Sequence, residues 1–289
     1  MVEVKSINVY VLADDYAGYS SLFIAQHGAS YLVEVENSNG NICRIIFDTA
    51  TYGELVLRNM GLLNIDPKIV DAIILSHCHY DHTRGLIEVV KSIGKDDLPI
   101  IAHPMIFRPH FILKPKMIHV GMPKGYREEA EEHGARWILV NKPTEIAENI
   151  MITGEVERRV NFEKTPTIKL YTLSNGALVP DELIDDMSLV ISTPEGLVIV
   201  TGCSHAGIIN ILKKAMKITG NKSIKAVIGG LHLIDADEDR IRKTIEYLVR
   251  LNVKELYVGH CTGFKAECEL LRAFAEKFKK LHAGMKITL

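Results

Sequence analysis

The chain of 289 residues lacks a bilayer-length apolar run, a Cys-x-x-Cys pair and any strong excess of charge. Each absence removes a class of function. Without about 20 consecutive apolar residues, no segment is expected to cross a membrane as a helix. The formal net charge of −2 argues against a general nucleic-acid binder, whose surface is ordinarily basic, but leaves room for a local basic patch facing an anionic substrate. The five cysteines (Cys43, Cys78, Cys203, Cys261 and Cys268) are odd in number and scattered. They fit reduced thiols in a cytoplasmic enzyme better than a disulfide framework. The first residues, Met1 to Lys5, lack the charged-then-apolar layout of a signal peptide. Glutamine is nearly missing, Gln26 being the sole example, while Lys and Glu are plentiful, which points weakly to a thermophilic host. What remains is an ordinary globular composition, 47% hydrophobic and 24% charged, long enough for one large α/β domain or two smaller ones.

Strand-like runs open the chain at 7–12 and 30–35. Asn37-Ser38-Asn39-Gly40-Asn41 is turn chemistry, and Cys43 to Asp48 resumes a strand, so 30–48 reads as a β-hairpin. Helical spacing is expected from Gly53 to about Met60 and again through Leu86, Val89, Val90 and Ile93, with Gly94 as a stop. Between about His103 and Pro166 the pattern weakens and prolines recur, which reads as an irregular insertion or cap. Buried strands return at 197–200, 226–228 and 256–258, separated by helices near 207–219, 239–251 and 264–282. That alternation implies a sheet covered by helices.

Residues 77–82 read His-Cys-His-Tyr-Asp-His, directly after the apolar run Ala72 to Ser76. Imidazole nitrogen and carboxylate oxygen suit Zn²⁺, Fe or Mn²⁺. In an extended segment His77 and His79 point the same way, since side chains alternate with period two. Asp81 and His82 are sequence neighbours and do not easily face one point, which favours two neighbouring metal sites over one. Four apolar strands run into a histidine: His77, His205, His232 and His260. Glycines precede three of them at Gly202, Gly229, Gly230 and Gly259, letting the backbone turn sharply and approach a ligand. If the strands share direction, their ends converge on one sheet edge, a common place for α/β sites.

The His77-x-His79-x-Asp81-His82 motif resembles the metal motif of the metallo-β-lactamase superfamily. Gly-Cys-Ser-His-Ala-Gly (202–207), Gly-Gly-Leu-His-Leu (229–233) and Gly-His-Cys-Thr-Gly (259–263) look like the branch related to dihydropterin-ribofuranosylaminobenzene-phosphate synthase, a methanopterin-pathway enzyme. The resemblance covers nearly the whole chain. It implies an α/β fold, the αβ/βα four-layer sandwich of two mixed sheets with helices outside and metals at one edge. The expectation is a single domain over 1–289, carrying the 103–166 insertion. By the same resemblance His77 and His79 bind one metal, Asp81 and His82 the second, and His260 completes the second set. The middle of the pattern departs: no histidine lies between His133 and His205, and Cys203 stands where a bridging aspartate is usual. His205 is then the candidate third ligand of the first metal. Cys203 stays open between a bridge, a soft ligand and a packed thiol.

Other roles follow with their alternatives. His232 has no metal role in the superfamily pattern and is expected to touch substrate or carry a proton, or else to be a core histidine. Asp81 is a candidate both as ligand and as catalytic orienter of the nucleophile. Asp48 resembles an acid that orients a metal-bound histidine, or caps a turn. His27 is a candidate for facing the pocket. Arg108, His110, Lys114, Lys116 and His119 form either a basic lip that clamps phosphate or a solvated surface. Phe107 and Phe111 either stack on a planar ring or anchor the insertion. The cofactor expectation is two divalent metal ions, zinc first, with manganese, iron or magnesium as alternatives. The expected reaction is transfer, coupling a dihydropterin diphosphate to an aminobenzene ribose phosphate with release of diphosphate. Hydrolysis of a phosphoester, thioester or lactone is the alternative, and a non-hydrolytic di-iron redox or sensor protein a third reading. The partner is a small phosphorylated molecule, with neither nucleic acid nor membrane. The oligomeric state is open.

Overall fold

The computed structural model describes residues 2–164 and 169–289; Met1, and the Thr165 and Pro166 that close the expected insertion, lie outside the described residues. In chain order, β1 (Val4–Ala13), β2 (Ser30–Asn37) and β3 (Ile42–Phe47) precede α1 (Gly53–Leu62) and β4 (Ala72–Ile74). The helical turn α2 (Tyr80–Thr83), α3 (Leu86–Ile93) and β5 (Leu98–Ala102) follow. Then come β6 (His110–Ile112), β7 (Ile118–His119), α4 (Tyr126–Glu132), β8 (Ala135–Leu139), β9 (Thr144–Ala147) and β10 (Ile150–Ile152). The second half runs β11 (Tyr171–Ser174), β12 (Ala177–Pro180), β13 (Ser188–Thr193), β14 (Gly196–Thr201), α5 (Ile208–Thr219), β15 (Ile224–Gly230) and α6 (Glu238–Arg250). It ends with β16 (Glu255–Gly259), α7 (Phe264–Phe274), β17 (Phe278–Lys280) and β18 (Lys286–Thr288).

Two seven-stranded mixed sheets result, ordered β18-β1-β2-β3-β4-β5-β8 and β17-β16-β15-β14-β13-β10-β9. In each, one end is antiparallel and the other parallel: β3, β4, β5 and β8 run parallel in the first, and β14 to β17 in the second. Residues on one side of both sheets, among them Val9, Val33, Ile45, Leu189, Val198 and Ile228, pack into a shared core. The opposite side of the first sheet packs against α1 and α3 through Ile46, Ile73, Met60, Val89 and Val90. The opposite side of the second packs on α5, α6 and α7 through Ile199, Val227, Leu212, Leu248 and Leu270. Strands buried on both faces read as continuous apolar runs, which is why 197–200, 226–228 and 256–258 stood out. The architecture is the αβ/βα sandwich expected.

The hairpin over 30–48 is present, with Tyr31 opposite Phe47 and Glu36 opposite Ile42. Gly94 ends α3 in the left-handed conformation, as its position implied. Two expectations change. The segment 103–166 is not irregular throughout: β8 extends the first sheet and β9 and β10 extend the second. Its capping part is β6 and β7, which join β11 and β12 in a separate four-stranded sheet. The helix expected over 264–282 stops at Phe274, because Ala275 takes a φ of 48° and the lysine-rich Phe278–Lys280 pairs with β16.

Candidate metal centre

Strand ends from both sheets supply the histidines. After β4 the chain bends at His77 and Cys78, and Tyr80–Thr83 coils into the α2 turn. His77 Nε2 and His79 Nδ1 come within 3.0 Å of each other, the convergence that alternation implied. Asp81 and His82, expected to diverge, converge as well: Asp81 Oδ2 lies 3.4 Å from His82 Nε2. Both side chains are buried within the short α2 turn, which brings them to the same site. Asp81 Oδ2 is also 3.3 Å from His260 Nε2, and His82 Nε2 is 3.2 Å from Cys203 Sγ. The edge of a tetrahedron with bonds of about 2.05 Å is roughly 3.3 Å, so this spacing fits donors around one ion.

Several groups of possible ligand atoms lie within 4.8 Å of one another among the described residues, including Asp81, His82, Cys203 and His260, then His77, Cys203 and His205, while His79 groups with Cys78 and His110. The rings of His77, His79 and His205 are mutually edge-on, with centroids 4.6 to 4.8 Å apart. Nε2 of His205 and of His260 is buried without a hydrogen-bond partner. Leaving such atoms orphaned costs stability unless something occupies the space between them. The residues therefore fit divalent metal ions.

Hydrogen bonds behind the rings fix which nitrogen faces inward. Asp48 accepts the Ser76 amide at Oδ1 and the Ser76 hydroxyl at Oδ2, both at 2.7 Å. Its hydrogen committed, the Ser76 hydroxyl accepts from His77 Nδ1 at 2.9 Å, and the His77 Nε2 lone pair points into the site. The same Asp48 oxygen accepts from His82 Nδ1 at 2.7 Å. Asp48 is thus an orienting acid and not merely a turn cap, as the resemblance implied. Asp15 Oδ2 accepts from His260 Nδ1 at 2.5 Å while Oδ1 accepts from His27 Nδ1 at 2.8 Å. Asp48, Ser204, His232 and His260 all have positive φ, so each strand end turns through a conformation that non-glycine residues rarely hold.

Burial sets the charge states. It pushes His77 and His205 well below the usual imidazole range and His79 down to about 3, keeping them neutral and ready to coordinate. Burial also opposes charge on His82, but Asp48 and Asp81 outweigh it and raise the group to about 9. Asp81 is held well below the carboxylate range: burial would lift it, and His82 and His260 overcome that.

The cavity beside these donors measures about 240 Å³ and is lined by His27, Tyr80, Ile112, Leu170, His232 and Ile234 along with His79, Asp81, Cys203, His205 and His260. His27 does face it, with Nε2 3.4 Å from Asp81 Oδ2. The His232 ring lies tilted against His205 at 4.1 Å between centroids, and its nitrogens, without a well-formed hydrogen bond among the described residues, sit within reach of Cys203 and Cys261.

The expected basic lip is corrected. Arg108 is committed to Asp181 and Asp185, at 2.8 Å to each, and its side chain is 8% exposed. His110 is buried beside His79, its Nε2 3.2 Å from Asp181. Burial and the Arg108 charge depress its pKa to about 4. Arg108 is thus not free to grip phosphate, and His110 is buried away from solvent. Lys114 and Lys116 are exposed between β6 and β7 but are not among the cavity-lining residues. Phe107 packs edge-on against Trp137 and anchors the segment, while Phe111 lies against His119. Sequence reasoning missed Asp15 and Asp185, the latter accepting the Cys78 amide at 2.9 Å. The acidic pair Asp14-Asp15 at the end of an apolar strand was the available signal for the first.

Residues 25–156 match the model of the metallo-β-lactamase superfamily. The chain is 51% identical, over 98% of its length and 96% of the relative's, to the 7,8-dihydropterin-6-methyl-4-(β-D-ribofuranosyl)-aminobenzene-5'-phosphate synthase of Methanocaldococcus jannaschii. The chain belongs to the metallo-β-lactamase superfamily. An uncharacterized protein of the same organism is 31% identical over 91% of this chain and 93% of its own. A crystal structure described as a metal-dependent hydrolase of the β-lactamase superfamily aligns with a TM-score of 0.80 at 29% identity, covering 97% of this chain and 98% of that one. Like its superfamily, the protein is a metal-dependent enzyme. Among the described residues no helix is long and apolar enough to cross a membrane.

Proposed function

We propose that the protein couples a dihydropterin diphosphate to an aminobenzene ribose phosphate and releases diphosphate. The supporting observation is the 51% identity to the synthase of that name along nearly the whole of both chains. In this reading His77, His79 and His205 hold one ion, and Asp81, His82 and His260 hold the other. Cys203 lies within reach of both. Zinc is the first choice, since imidazole and thiolate donors suit it better than magnesium. Bound ions supply charge that stabilises a departing diphosphate.

The chain's own groups do the rest. The aminobenzene nitrogen forms a bond to the pterin methylene carbon as the carbon–oxygen bond to diphosphate breaks, and the nitrogen gives up a proton. His232, at the cavity wall with ring nitrogens that lack a well-formed hydrogen bond among the described residues, contacts the substrate and takes that proton. Asp81 orients the nucleophile from the ion side. Ile112, Val120, Leu170 and Ile234 form the apolar walls that keep water from competing. The proposal places this chemistry in a single cytoplasmic, thermophile-type domain with a capping segment.

Incubating the metal-loaded chain with the pterin diphosphate and the aminobenzene ribose phosphate tests this directly. A coupled product with release of diphosphate is expected. Hydrolysis of simple phosphodiesters without any coupled product overturns the assignment. His232→Ala is expected to keep both ions and lose rate, whereas His77→Ala and His79→Ala lose metal and rate together.

A further inference from the structure

We propose that Cys203 is the donor shared by both metal positions, making the centre a thiolate-bridged pair selective for thiophilic ions. The inference deepens the reading given above and rests on it only for the presence of two ions. Cys203 groups with Asp81, His82 and His260 on one side and with His77 and His205 on the other. The 3.2 Å separation of its sulfur from His82 Nε2 is close to the tetrahedral edge of roughly 3.5 Å expected for one sulfur and one nitrogen on zinc. Cys261, the neighbouring thiol, groups only with Cys203 and His232.

The backbone holds the sulfur in place. Cys203 is 2% exposed. Gly202 before it has no room for a side chain, since a Cβ there meets Ser76 Oγ at 2.3 Å and Asp48 Oδ2 at 2.8 Å. Ser204 after it has a φ of 59° and donates its hydroxyl to the Gly230 carbonyl at 2.7 Å. The Cys261 thiol lies 3.6 Å from the Cys203 carbonyl oxygen, closing the remaining side. As a ligand, Cys203 would give up its thiol proton to solvent and present a thiolate to the ions. Sulfur in this position favours zinc or iron over manganese and magnesium, where a carboxylate would accept all four.

The test uses the full chain stripped of metal and reloaded with cadmium alone or cobalt alone. Cadmium-113 NMR of the native protein is expected to show two resonances, both displaced downfield as sulfur ligation requires. One displaced resonance reduces Cys203 to a terminal ligand and overturns the bridge, and none overturns sulfur ligation altogether. With cobalt, a near-ultraviolet thiolate charge-transfer band is expected to survive in Cys261→Ser and vanish in Cys203→Ser. The reverse pattern assigns the ligand to Cys261 and overturns the proposal. Cys203→Asp is expected to raise manganese occupancy relative to zinc by about tenfold, and an unchanged ratio contradicts the selectivity. Coupled-product formation by the same samples reports on the reaction alone, so either conclusion can fail while the other stands.

Discussion

With His82 as a ligand, as proposed, it and the nearby Asp48 are expected to make metal loading depend on pH. The imidazole nitrogen that faces the site binds an ion only when unprotonated, and the two carboxylates near it hold its proton up to about 9 against the effect of burial. His260 is also raised, burial being outweighed by the Cys261 charge and by Asp15 and Asp81. Below about pH 9 an ion entering this set must displace protons, so its affinity falls as pH falls, at least about tenfold per unit. His77, His79 and His205 are already neutral in that range and impose no such dependence. Chelator competition between pH 6 and 8 is expected to show one steep site and one shallower site. Asp48→Asn is expected to flatten the steep one, and parallel pH curves for both sites contradict the assignment. These two residues also mark what single residues reveal in sequence. His82 is legible because its motif is local, and Asp48 only because it closes a strand. Asp15 gives only the weak sign of an acidic pair at a strand end, because its bonds to His27 and His260 are made across 12 and 245 residues.

Elements act on the centre through their ends. Gly202 lies just past the end of β14 against Ser76 and Asp48, the pair that orients His77 and His82. Gly202→Ala forces that pair aside, and loss of orienting groups of this kind typically lowers metal affinity about 10- to 100-fold. Isothermal titration is expected to show such a loss with the circular dichroism spectrum unchanged; native affinity in the variant excludes the role. At α5 the orphan amides of the first turn, Ile209 and Asn210, donate to the buried carboxylate of Glu163 at 3.0 Å each. Burial nonetheless raises Glu163 to about 7 from an ordinary 4.5, the two amides only partly opposing it. The folded state therefore binds a proton more tightly than the unfolded chain. Glu163 contributes fully below about pH 4.5, and the contribution is lost as pH rises through about 7. Glu163→Gln is expected to shrink the drop in melting temperature between pH 6 and 8, and an unaltered drop points to another group. The helices and buried strands were legible because their apolar spacing is long and regular. The 103–166 segment was not, because β8 and β9 are short edge strands with exposed positions and β10, though inside the sheet, is only three residues long. Arg108 was misread for a related reason: its charge partners Asp181 and Asp185 lie 73 and 77 residues away.

Across the whole molecule, the centre joins two halves. His77, His79, Asp81 and His82 follow strand β4 of the first sheet, whereas Cys203, His205 and His260 follow strands β14 and β16 of the second. Ions held between them, as proposed, would bind the folded state in preference to the unfolded one. They add about 2.7 kcal/mol of stability at a free concentration of 100 times the dissociation constant. Chelation is expected to lower the melting temperature of the native chain, and His77→Ala should abolish most of that difference; equal melting temperatures with and without chelator contradict the joining role.

The pairing of β1 with β18 carries a kinetic consequence. Asn8 and Thr288 face each other across the edge of the first sheet, so its outermost ladder closes a loop of 280 residues. Contacts this distant in sequence form slowly, since the entropy of closure is lost before the contacts compensate. The donors at 77–82 and at 260 meet only when the sheets they belong to are in register, late in assembly. Zinc present from the start of refolding should therefore leave the folding rate unchanged and slow unfolding alone. The ion would act as a latch on a finished structure and take no part in guiding the search.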